Sequence, residues 1–307
     1  MRLRFFLVMA LITGLLVSTW GCSNQQASSQ GKRPAKLVMA YLPNEDSAGD
    51  VNRKQSRDML MKDMSAFLGI PVEIVILDDY NAVIETMRNE KTHIAHFGPF
   101  SYIIAHDRSK AEAICVMAKD QQSAFYNSLL VTHKDTGIQT IEDIKGKSMA
   151  FVDPASTSGN LVPRATIVAR LGVKAEEIDT KLFKSVQFAG NHTNSLLAAA
   201  NKTVDVAAVS TSTYENSIKK GLVKEEDLRI IIKSDPIPSS PVAVYGGLPE
   251  DLKAKIKEFF LKYDNPEYFK LRNEEGKRYI SIDDSNYNPI RDIAKAMNLK
   301  AEELLKS

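Results

Sequence analysis

The 307-residue chain is poor in the residues that staple, ligate or stack: it has 2 cysteines, 1 tryptophan and 5 histidines. Cys115 sits inside the apolar run Ala113 to Met117 and reads as a core residue of a strand, and with Cys22 as the only other cysteine no disulfide framework is expected. The histidines do not assemble a metal set. His93 and His96 are three apart on an expected strand and so face opposite sides, while His106 and His133 add no ligand-like spacing. A Ser-His-acid hydrolase could be drawn from Ser156 or Ser158, His192 and Asp153 or Asp205, but the sequence has no G-x-S-x-G elbow. Neither sign of charge is in excess, since 40 Lys and Arg face 38 Asp and Glu. Without residues 1–21, which hold Arg2, Arg4 and no acid, the formal charge is zero. A nucleic-acid binder would show a basic surplus. No metal or organic cofactor is therefore expected, and no nucleic-acid partner.

What the chain does have is ordinary globular material, 44% hydrophobic and 25% charged. Its length exceeds the usual ~100–200 residues of one domain, so two lobes or one large domain are the starting options. Ahead of that material, Arg2 and Arg4 precede the uncharged run Phe5 to Trp20, followed by Gly21-Cys22. The run is shorter than the ~20 residues a membrane span needs. A basic start, an apolar stretch and a small residue before cysteine resemble a bacterial lipoprotein signal. That resemblance implies removal of residues 1–21 and acylation of Cys22, with the protein on the outer face of the cytoplasmic membrane, the periplasmic side if an outer membrane is present. Residues 22–35 are polar and without apolar periodicity, and read as a flexible tether.

From Leu37 onward strands and helices alternate. Leu37–Tyr41, Val72–Leu77, His93–Phe97, Ala113–Met117 and Ser128–Thr132 are strand candidates; Val51–Leu68, with Met59, Leu60, Met64 and Phe67 on one side, Tyr80–Met87 and Pro99–His106 are helical. The rhythm restarts with Met149–Val152, the helix Leu161–Leu171, Thr193–Ala200, the strand Val206–Val209 and Arg229–Ile232 as the last strand. Helices Leu252–Tyr263 and Arg291–Leu305 close the chain. This βαβ order argues for mainly parallel, doubly wound sheets, whose ligands gather at strand carboxyl ends. Two α/β lobes with extended crossings near residues 128–134 and 233–241 would explain the restart, and two crossings make a hinge.

The stretch that organises the rest is Asp153-Pro154-Ala155-Ser156-Thr157-Ser158-Gly159-Asn160, between an apolar strand and an amphipathic helix starting near Ser158. Hydroxyls and backbone N–H groups at a helix start, with the helix dipole behind them, suit an oxyanion. Ser156 or Ser158 would equally serve as a plain helix cap.

Asp78-Asp79-Tyr80, Phe97-Gly98-Pro99, Tyr126-Asn127-Ser128, Asp153 to Gly159, Gly190-Asn191-His192, Val204-Asp205-Val206-Ala207 and Pro236-Ile237-Pro238, in that order, resemble the substrate-binding proteins of phosphonate-type ABC importers, a family with phosphite- and phosphate-binding members. The resemblance spans residues 36–295. It implies a bilobal, type II periplasmic-binding-protein fold: residues 36–130 plus 237–307 as lobe 1 and 131–236 as lobe 2, two doubly wound α/β lobes joined by a two-segment hinge. It further implies a monomeric, non-enzymatic receptor that captures a small phosphorus oxyanion and passes it to an ABC permease and its ATPase. Ser156, Thr157 and Ser158 match the oxyanion cradle, His192 a donor to the anion, and Tyr80 and Tyr126 tyrosines that cover it. At Ser212 and Ser240 the family's aminophosphonate binders carry carboxylates, so a ligand without an amine is expected unless Glu45, Asp46 or Glu215 takes their place. The alternatives are a tethered sensor for a membrane kinase and a bilobal enzyme acting on a phosphorus ester.

Overall fold

The computed structural model describes residues 33–42 and 51–298, which belong to one compact body. Residues 1–32, with Cys22, and Glu45 and Asp46 lie outside the described residues. The chain opens with β1 (Leu37–Tyr41), α1 (Val51–Leu68), β2 (Val72–Ile76), α2 (Tyr80–Arg88), β3 (Ile94–His96), α3 (Pro99–Ser109) and β4 (Glu112–Ala118). It then crosses through β5 (Phe125–Tyr126) into β6 (Ser128–His133), β7 (Ser148–Phe151), α4 (Val162–Leu171), β8 (Ser185–Phe188), α5 (His192–Ala200), β9 (Val206–Ser210), α6 (Thr211–Lys219) and β10 (Leu228–Lys233). It returns through β11 (Ile237–Pro238) to β12 (Val242–Val244), α7 (Glu250–Lys262), α8 (Pro266–Leu271), β13 (Arg278–Ser281) and α9 (Asn288–Ala296).

Two sheets result, ordered β13-β4-β12-β3-β1-β2 and β10-β6-β9-β7-β8, and the crossings pair as the ribbon β5–β11. The βαβ pattern appears as parallel pairs β2–β1–β3 and β8–β7–β9. The sheets are nevertheless mixed rather than mainly parallel. β12 inserts antiparallel between β3 and β4, β13 runs against β4, and β6 runs against both β9 and β10. β12 and β13, of three and four residues, are strands that sequence reading missed. Residues 128–130, expected in the first lobe, form the start of β6 in the second sheet.

One apolar cluster joins the α2–α3 side of the first sheet to the α4 side of the second, through residues such as Phe100, Val152, Ala155 and Leu161. A second lies between the first sheet and α1, α7 and α8; a third covers the other face of the second sheet. In α1 the buried stripe is Leu60, Met64 and Leu68, four apart as a helix requires, whereas Phe67 is 40% exposed and only edges onto Phe259. The last helix starts earlier than expected, at Asn288 with Pro289 in its first turn, and residues beyond 298 lie outside the described set.

The β7–α4 junction is wider than the plain helix start expected near Ser158. Thr157–Leu161 forms a π-helical turn, closed by the Leu161 N–H on the Ser156 carbonyl at 3.1 Å, and α4 begins only at Val162. The reason is local. Pro163 has no N–H to give the Gly159 carbonyl, which instead accepts from the N–H of Val152 at 2.9 Å. Gly159 thereby lies so close to the strand end that a Cβ there would come within 2.3 Å of Val152 Cβ. Gly159→Ala is accordingly expected to cost ~1–3 kcal/mol of unfolding free energy through overpacking, read by denaturant titration, and an unchanged midpoint would contradict this account of the turn.

Candidate functional site

The cradle stretch is ordered by its own bonds before any ligand is considered. Ser156 caps the π turn by accepting the Gly159 N–H at 3.1 Å, so this hydroxyl fixes the loop. The N–H groups of Thr157 and Ser158, at the start of the turn, have no intrahelical acceptor. Asn160 bonds the Pro154 carbonyl at 2.8 Å and accepts from Arg164 Nε at 2.7 Å, which ties the loop to α4. Ser128 Oγ holds the Ser158 carbonyl at 2.6 Å.

Two more helix starts reach the same place. Gly190, at φ +77°, takes the left-handed conformation that turns the end of β8 into α5, and Asn191 caps that helix by accepting the Asn194 N–H at 2.7 Å. His192 is the first residue of α5 and is buried. Its Nδ1 accepts the N–H of Ser210 at 3.2 Å, which places the ring proton on Nε2, 3.4 Å from Ser158 Oγ. The ring therefore presents an N–H donor on the cradle side. A hydrolytic triad needs the reverse, with Nδ1–H donating to a carboxylate. Asp153 instead accepts from Ala155 N–H at 2.7 Å, and Asp205 from Ser148 N–H and Oγ at 2.8 and 2.7 Å, so neither orients His192. Ser210 caps α6, accepting from Thr213 N–H at 3.2 Å, and its hydroxyl meets that of Ser212 at 3.2 Å.

From the first lobe come the starts of α2 and α3. Asp79 caps α2 by accepting the Ala82 N–H at 2.6 Å and so sets Tyr80 at the first helical position, where it is 4% exposed. Gly98, the N-cap of α3, has no side chain to satisfy that helix. The missing cap is supplied from the other lobe, where Thr157 Oγ1 accepts the N–H of Phe100 at 2.8 Å. Thr157, expected only as part of the cradle, also joins the lobes.

A cavity of about 470 Å³ lies between these elements, and Tyr80, Tyr126, Ser156, Thr157, Ser158, His192, Ser212 and Ser240 all line it. Glu215, the considered substitute for an amine-binding acid, lines it too. Sequence reading missed Tyr41, His96, Arg53 and Arg272 on the first-lobe wall. Tyr41 and His96 end β1 and β3 and stack at 5.9 Å between ring centroids, so their place at strand carboxyl ends was the available signal. His93, by contrast, is taken up inside the sheet, accepting the Val38 N–H at 3.1 Å.

Two α/β lobes, each offering helix starts to one polar cleft, define a solute receptor that grips its ligand from both sides. Residues 39–287 match the family described as periplasmic substrate-binding proteins of phosphonate ABC transporters, and the chain belongs to that family. It is 30% identical over 301 residues to the phosphate-import protein PhnD of Mycolicibacterium smegmatis, covering 92% of this chain and 93% of that one. It is 34% identical over 216 residues to the phosphonates-binding periplasmic protein of Escherichia coli, covering 69% of this chain and 62% of that one. A crystal structure of the binding component of a phosphonate ABC transporter from Pseudomonas aeruginosa superposes with a TM-score of 0.75 at 29% identity, covering 90% of this chain and 96% of the other. The fold is the bilobal type II periplasmic-binding-protein fold, and the chain is a substrate-binding component of a transporter, not an enzyme.

Beside the cradle, burial pushes the Asp153 carboxyl up to about 6, and the charge of Asp79 across the lobe junction adds to this, against the N–H groups of Ala155 and Tyr80, which favour the ionised form. The sign follows from proton uptake: below about 6 the folded protein takes a proton that the unfolded chain, at 3.8, does not. Stability from this group therefore rises as pH falls from 7 to 5, on the order of 1 kcal/mol. Asp153→Asn should remove that increment when unfolding free energies at the two pH values are compared, and an identical pH dependence in both proteins would contradict it.

Proposed function

We propose that this chain captures a small phosphorus oxyanion without an amine, of the phosphite, methylphosphonate or phosphate kind, and delivers it to an ABC permease and its ATPase. In this reading a lipid on Cys22 holds a monomer on the outer face of the cytoplasmic membrane, and the first lobe closes on the second about the paired crossings. The observation that carries it is the convergence of five helix starts, those of α2, α3, the π turn before α4, α5 and α6, on one cleft lined with hydroxyls. Each start contributes partial positive charge and N–H donors, a combination that favours an anion over a neutral or cationic solute. The relatives named for phosphate import and for phosphonate binding support the same ligand class.

Ser156, Thr157 and Ser158 with His192 form the cradle in this reading, and Tyr80 and Tyr126 cover the anion. Ser212 and Ser240 offer no charge to an ammonium, and a buried ammonium without a carboxylate costs several kcal/mol, so an amine would be held only if Glu215, which lines the same cavity, took their place.

Calorimetric titration of the full chain in mild detergent, stripped of carried-over ligand, tests the reading. Methylphosphonate, phosphite or phosphate should bind, with 2-aminoethylphosphonate and sulfate weaker. Ser158→Ala combined with His192→Ala should cost ~3–6 kcal/mol of affinity at ~1.5–3 for each charged hydrogen bond. Failure of all three amine-free anions, or unchanged affinity in the folded double variant, would overturn the assignment.

A further inference from the structure

We propose that the cleft is held closed by the protein itself, through a latch in which Thr157 of the second lobe caps α3 of the first, so that a closed population exists before the anion arrives and its size sets the affinity. The inference rests on the receptor reading above and adds how the closed form is reached.

The latch begins with a helix built without a cap of its own. The N-cap of α3 is Gly98, which has no side chain to offer, and Pro99 has no N–H. The nearest hydroxyl, that of Ser101, donates back to the Gly98 carbonyl at 3.0 Å. The buried N–H of Phe100 is met instead by Thr157 Oγ1 at 2.8 Å. The other four helix starts at the cleft are capped within their own lobe, by Asp79, Ser156, Asn191 and Ser210. α3 takes its cap from across the cleft.

The latch also has an apolar half. Phe100 shares a cluster with Val152, Ala155 and Leu161 of the second lobe, each no more than 2% exposed, and α3 touches the π turn. The same loop reaches the neighbouring helix start, where the Tyr80 N–H favours the ionised Asp153 carboxylate. All these contacts join protein to protein, so they stabilise the closed form whether or not a ligand is bound. The chain passes between the two sheets only through the β5 and β11 crossings, so opening breaks the latch and leaves each sheet whole.

Thr157 couples the latch to the anion. Its oxygen accepts from the first lobe, and its hydrogen remains for the cleft that it lines. A hydroxyl that gives its hydrogen to an oxyanion becomes a better acceptor, so anion and latch strengthen each other. Apparent affinity scales with the fraction of protein in the binding-competent form, so loss of the latch lowers closed population and affinity together.

The test measures distances between spin labels in the full chain in mild detergent. The labels sit at Asn89, at the end of α2, and Arg170 in α4, both exposed, and are attached through a keto-bearing amino acid so that the cysteines stay untouched. Without ligand, the distribution should contain the short distance of the methylphosphonate complex. Thr157→Val should reduce that population and Thr157→Ser retain it. Phenyllactic acid in place of Phe100 turns one amide into an ester and removes only the N–H, leaving every cradle side chain in place. It should lower the closed-to-open ratio about fivefold, the worth of one hydrogen bond, and raise the apparent Kd for methylphosphonate by the factor by which the closed fraction falls. A ligand-free protein with only the long distance, wild-type populations in the ester and Thr157→Val variants, or an ester variant whose affinity falls while its populations stay would each overturn the latch and leave the phosphorus-oxyanion reading intact. Failure of methylphosphonate, phosphite and phosphate to bind would overturn that reading, and the ligand-free populations would still decide the latch.

Discussion

Backbone N–H groups at helix starts, turned toward one point and lacking partners inside their own helices, are the feature the rest of this structure serves. A strand running into a helix places that helix start at the carboxyl end of the strand, so a row of parallel βα units gathers several starts along one sheet edge. The second lobe does this through β7, β8 and β9, which feed the π turn, α5 and α6; the first does it through β2 and β3, which feed α2 and α3. The antiparallel strands β12, β13 and β6 complete the sheets without adding helix starts to the cleft. Pro163 and Gly159 do the finer work, the one withholding a hydrogen bond and the other allowing the loop to lie against Val152.

The same logic explains why Thr157 has two neighbours to serve. Its oxygen accepts the Phe100 N–H of the first lobe, while its hydroxyl hydrogen is still available to donate. One side chain from one lobe thus completes a helix start in the other. Thr157 thus adds a hydrogen bond to the apolar contact between the lobes, and Asp153 beside it makes that junction sensitive to protonation.

Much of this was legible in the sequence because long periodic elements announce themselves. β1, α1, β2, α2 and the β7–α4 stretch fall where apolar spacing placed them, and the eight cleft residues chosen from family resemblance all line one cavity. The misses have physical causes. α6 begins Thr-Ser-Thr, residues with weak helix propensity that tertiary packing and the Ser210 cap overcome. Arg272 ends a six-residue helix far along the chain, and nothing in its neighbourhood hints that Tyr41, more than 200 residues earlier, will lie beneath it. The direction of the His192 ring was equally hidden, because the Ser210 N–H that fixes it comes from a different strand.

That ring direction separates a receptor from an enzyme built on similar residues. With Nδ1 occupied as an acceptor, His192 offers a proton rather than taking one, on the side where Ser158 Oγ lies 3.4 Å away. The central claim, that oriented helix starts recognise negative charge, is tested most directly by comparing methylphosphonate with its neutral dimethyl ester in calorimetric titration of the full chain. The account predicts that the anion binds and the ester, close in shape at phosphorus but uncharged, does not. Equal affinity for the two would contradict it.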